Sequence, residues 1–108
     1  MNDKQQQDKE FFKTADTFID LANDHSNKQD SAAVGSSLLY ATARFSSFVV
    51  ASHAKDLESF ESEIDHAIEF FNKEFERMLK ENLEEYKGVF SKEQEQPKYQ
   101  HLIKKSTE

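Results

Sequence analysis

Cysteine is absent from this 108-residue chain. That excludes disulfides and thiolate metal sites, and it suits a reducing compartment. Helix-breaking residues are scarce as well: two glycines, Gly35 and Gly88, and one proline, Pro97. Stretches rich in Glu, Lys, Ala and Leu with so little to interrupt them read as long helices. No membrane span is expected. The least polar stretch, residues 31–54, carries Arg44 at its middle with six serines and His53, a mixture that a bilayer core rejects. The opening residues, Met1 to Glu10, are polar and lack the apolar run of a secretory signal, so a cytoplasmic location is expected.

Positive charge is in deficit, with 14 basic against 21 acidic residues and a net charge of −7. The imbalance is local. Residues 1–30 hold four lysines against seven acids, and residues 56–88 hold four basic groups against eleven acids. Residues 31–55 hold only Arg44 and Lys55 and no acid. A field of this sign repels nucleic acid and anionic lipid, so neither is an expected partner. The nearly uncharged middle is expected to be covered on several sides.

Catalytic signatures are missing too. The sequence contains no glycine-rich phosphate loop, nucleophile elbow or HExxH. A single Glu-x-x-His unit, Glu63 to His66, matches the spacing used twice in di-iron helical bundles. Those sites need carboxylates from several facing helices, so the pair reads as a solvated surface feature. His25, His53 and His101 fall at turns or in the tail. No catalytic residue, cofactor or metal is expected, and the protein is not expected to be an enzyme.

What the chain has is phenylalanine, ten of them, arranged with helical period. Phe11, Phe12, Ala15, Phe18, Ile19 and Ala22 make one stripe of a first helix. Val34, Leu38, Ala41, Phe45, Phe48 and Val49 stripe a second, with a further apolar stripe at Leu39, Ala43 and Val50. A third helix shows Leu57, Phe60, Ile64, Ala67, Ile68, Phe71, Phe75, Met78, Leu79, Leu83 and Tyr86, and Gly88 is its expected left-handed stop. Its surface carries the helix-spaced pairs Glu69–Lys73, Glu74–Arg77 and Glu76–Lys80.

The pattern predicts one all-α domain: a three-helix antiparallel bundle over residues 8–88 with helices at about 8–24, 31–53 and 56–87. The second helix is expected at its centre. Residues 1–7 are expected as a disordered lead and residues 89–108 as a mostly disordered, flexible tail. Within that tail, Tyr99, Leu102 and Ile103 leave open a short docked helix over residues 97–105.

Several polar and apolar positions stand out. Arg44 sits on the flank of the second helix's stripe, and Asp16 on the first helix is its expected ion-pair partner. Asn23 and Asn82 fall in or near helix contacts as candidate polar core positions. Leu39, Val50 and Phe70 lie off the main stripes, and more apolar surface than one bundle hides predicts a homodimer through them. The acids Glu58, Glu61, Glu63, Asp65 and Glu69 read as a solvated face, with a basic protein as the alternative target.

Three runs resemble a known family: Ala15 to Asn23, Ser37 to Ala51 and, more loosely, Met78 to Tyr86. The chain is similar to the uncharacterised proteobacterial family called domain of unknown function 3144, over about Phe11 to Phe90. The resemblance implies a short, helical bacterial protein without an assigned activity, so it supplies no catalytic residue. It makes Asp16, Asn23, Arg44 and Asn82 the matched polar positions. The expected function is a small interaction or regulatory protein acting by helix-mediated association with itself or an unknown protein partner. The alternative is a small-ligand or anion binder, with Arg44 at the rim of a cavity lined by Phe18, Phe45 and Phe48.

Overall fold

A computed structural model describes residues 3–92 of the chain. It contains three helices and, among the described residues, no strand: α1 over Asp3–Ser26, α2 over Ser31–Ser52 and α3 over Leu57–Lys92. The third is the longest, at 36 residues.

The caps explain where the helices begin. Asp30 accepts a hydrogen bond from the Ala33 amide at its Oδ2 (3.3 Å) and one from the Val34 amide at its carbonyl (3.0 Å), which starts α2. Before it, the amides of Lys28 and Gln29 both donate to the His25 carbonyl at 3.0 Å, which closes α1. At the end of α2 the Val49 carbonyl accepts from Ser52 Oγ and from His53 Nδ1, each at 2.8 Å. Side chains thereby occupy a carbonyl that the helix itself leaves open.

Two boundaries differ from the sequence reading. The first helix starts at Asp3 instead of Asp8, so the expected disordered lead of residues 1–7 is helical from its third residue. Apolar period marks where a helix packs, not where it ends; Gln5, Gln6 and Gln7 are good helix formers, and Lys4 pairs with Asp8 at 3.8 Å. At the other end, Gly88 does not stop α3, which continues to Lys92. A glycine inside a helix costs only about 1 kcal/mol against alanine, which its neighbours outweigh. The possible docked helix at residues 97–105 lies outside the described residues.

The described chain divides into two compact units, residues 3–41 and residues 42–92, with the boundary inside α2 after Ala41. In the first unit α1 and the opening half of α2 form an antiparallel hairpin. Val34 is its one buried residue, at 7% exposure. The second unit joins the closing half of α2 to α3, with Phe60 and Ala67 half-buried. One helix, α2, thus serves both units, with little closed core in either.

Candidate functional site

The first unit holds a groove of about 280 Å³ between α1 and α2. Phe18, Leu21, Ala22 and His25 line it from α1, and Val34, Ser37, Leu38 and Ala41 from α2, with Gln29 from the turn. Each set steps by three and four residues, so each is one face of a helix. The sequence reading placed Phe18, Val34, Leu38 and Ala41 on inward stripes but missed Leu21 and His25. Their signal was present, since Leu21 and His25 lie three and seven residues beyond Phe18.

The cavity expected around Arg44 is not this groove. Phe45 and Phe48 are exposed on α2 in the second unit, with their ring centroids 6.0 Å apart. Arg44 is exposed between Tyr40 and Phe48 on the same helix. Asp16 is exposed on α1, in the first unit. Asp16 and Arg44 thus fall in different units.

Asn23 is half-buried. Asn82 is exposed, and its Nδ2 donates to the Met78 carbonyl of its own helix at 2.8 Å. The expected polar core position is thus a surface position in the single chain, because an amide four residues along a helix reaches a backbone oxygen without any partner helix. Of the candidate interface residues, Leu39 and Phe70 are exposed and Val50 is half-buried. The Phe70 ring meets Phe71 edge-on at 5.3 Å.

Exposure on α3 varies around its circumference. At 100° per residue, Phe60 and Ala67 lie on one flank of the apolar stripe and are half-buried. In the middle, Ile64, Phe71 and Met78 are each 38% exposed. On the other flank, Ile68 reaches 55%, Phe75 48%, Leu79 44%, Leu83 58% and Phe90 85%. One side of the stripe is packed and the other is mostly open, with Tyr86 half-buried among its exposed members.

The charges of α3 form helix-spaced pairs. Lys73–Glu69 and Lys80–Glu76 stand at 3.3 Å, Lys87–Glu84 at 3.2 Å, and Arg77 binds Glu74 at 2.8 Å and Glu81 at 3.2 Å. The three pairs read from the sequence are all present. The Arg77 hydrogen bond, helped by its charge, holds the Glu74 carboxyl below the usual glutamate range. Burial, with the Glu85 charge, pushes the Tyr86 phenol up. Among the described residues no three His, Cys, Asp or Glu side chains group together as metal ligands, so Glu63 and His66 gather no further ligand. Among them, too, no helix is long and apolar enough to cross a membrane.

Residues 11–87 match the family model described as protein of unknown function (DUF3144), and the chain belongs to that family. No curated protein and no solved structure matches the chain significantly.

Proposed function

We propose that this family member is a small, non-catalytic bacterial protein of the cytoplasm that works by helix-mediated association with itself or with another protein. The observation that carries the reading is the apolar surface left open along all three helices: Phe11 and Phe18 on α1, Phe45 and Phe48 on α2, Ile68 and Leu83 on α3. Isolated exposed apolar residues are ordinary, but rows of them on successive turns mark a surface that a partner covers. Leu39 and Phe70 belong to that exposed set, and Val50 stands at its edge.

The groove of the first unit supports a second reading, a binder of a small apolar ligand. Its volume is near the lower end for ligand pockets, and its wall is largely phenylalanine, leucine, valine and alanine with His25, Gln29 and Ser37 as polar points. Arg44 is not part of that wall, so an anion anchored on Arg44 would need a different place.

Native mass spectrometry of the full chain purified from its own host at low salt separates the two readings. A bare dimer, or the chain with one recurring protein, supports association. A monomer carrying a reproducible small-molecule mass overturns it and directs attention to Phe18, Leu21 and Leu38.

A further inference from the structure

We infer that the open flank of α3 is a self-recognition surface, on which a second copy of the chain packs its own α3 antiparallel about a two-fold axis near Leu79. The inference rests on the association reading and gives it a surface, a partner and an orientation.

The first argument is area. Ile68, Phe75, Leu79, Leu83 and Phe90 fall on one side of α3, and the exposures above leave them partly in water. With about 200 Å² for a phenylalanine side chain and slightly less for leucine or isoleucine, the five expose roughly 500 Å² of apolar surface. An interface of standard size buries about 800 Å² on each partner, a little over half of it apolar. One flank of one helix thus offers about what a stable dimer needs.

The second argument is register. The five side chains are spaced nearly symmetrically about Leu79. Reversing the helix about that point sets Ile68 against Phe90 of the partner subunit and Phe75 against Leu83 of the partner subunit. Leu79 then meets the partner's Leu79. A two-fold contact requires this self-complementarity, because each residue must find its reversed counterpart.

The third argument is charge. Glu69, Glu76, Lys80 and Lys87 line one rim of the flank, at about 100–140° on the helical wheel where Leu79 is at 40°. The same reversal sets Lys87 of the partner subunit about 3 Å along the axis from the position facing Glu69, and the partner's Lys80 about as far from the position facing Glu76, each twice by symmetry. Parallel pairing would instead lay the acid-rich start of α3, Glu58 to Asp65, beside its own copy. In the single chain these groups hold intrahelical pairs at 3.2–3.3 Å on exposed side chains, which are weak enough to share or exchange.

The absence of cysteine makes the test clean. The full chain is labelled with a nitroxide at Ser62→Cys and, separately, at Ser91→Cys, and the distance between labels is measured by pulsed electron spin resonance alongside the mass in solution. Antiparallel pairing about Leu79 expects about 51 Å for the first and about 36 Å for the second, from 1.5 Å per residue. Parallel pairing would bring both near the interhelix spacing of about 10 Å and overturn the orientation. Leu79→Glu should weaken the dimer by about tenfold or more with helix content unchanged. Phe70→Glu, about 180° from the flank, should leave it intact. Glu76→Lys should weaken it, and Glu76→Lys with Lys80→Glu should restore it.

A dimer that ignores Leu79→Glu and shows neither distance sinks this surface while leaving association itself standing. A monomer that recurs with a different protein sinks the second copy as partner. A bare monomer at tens of micromolar sinks both.

Discussion

Asp56 and Ser59 hold each other at the start of α3. The Ser59 amide donates to Asp56 Oδ1 at 2.9 Å, and the Asp56 amide donates to Ser59 Oγ at 3.3 Å. This is a capping box with serine in the place that glutamate usually takes. Ser59 Oγ also accepts from the Lys55 amide at 3.1 Å, so one hydroxyl serves two backbone donors. Asp56→Ala should cost about 1 kcal/mol and lower the melting temperature by roughly 4–8 °C. Asp56→Asn should recover most of that, because an amide oxygen caps as a carboxylate does. Thermal denaturation followed by circular dichroism compares the three; equal melting of wild type and Asp56→Ala would show that the cap contributes nothing.

How much of this was legible in the sequence depends on which force decided each feature. The caps at Asp30 and Asp56 are local features, because the side chain that starts each helix sits beside it in the chain. The Glu69–Lys73, Glu74–Arg77 and Glu76–Lys80 pairs were legible for the same reason. The division after Ala41 was not, since a helix that packs against two neighbours shows the same period whether they close one core or two. Nor was the open flank of α3. Period placed Ile64 and Ile68 on one stripe, and only the fold separates the 38% exposure of the first from the 55% of the second. Leu79, which period places on the apolar stripe, is 44% exposed, while Phe70, which breaks the pattern, points away from the open flank.

The Glu74–Arg77 pair should be visible as a titration. The Arg77 hydrogen bond is the main cause of the lowered Glu74 pKa, and its charge adds to it. A carboxyl held below its unfolded value binds fewer protons in the folded state. Its contribution to stability is therefore present above the unfolded glutamate pKa and is lost as pH falls through the lowered one. Carbon-detected NMR titration should find Glu74 titrating at lower pH than the ordinary glutamates, and Arg77→Gln should return it to their range. The melting temperature at neutral pH should hardly move, because both side chains keep much of their surface in water. An unshifted Glu74 in the wild type would rule the pair out in solution.

Gly88 gives the sharpest prediction for stability. It lies within α3, and a Cβ built on it meets nothing within 4 Å. Alanine there fills no occupied space, and it removes conformational freedom from the unfolded chain, which glycine leaves large. Gly88→Ala should therefore stabilise the protein by about 0.5–1 kcal/mol, with the denaturation midpoint rising at unchanged slope. Gly88 is also about 180° from Leu79 on the helix, so the same substitution should not alter self-association. If Gly88 instead ended the helix in a left-handed conformation, as its sequence context suggests, alanine would be strained and would destabilise. Urea denaturation of this one variant thus separates a helix that runs through Gly88 from one that stops there, by the sign of the change alone.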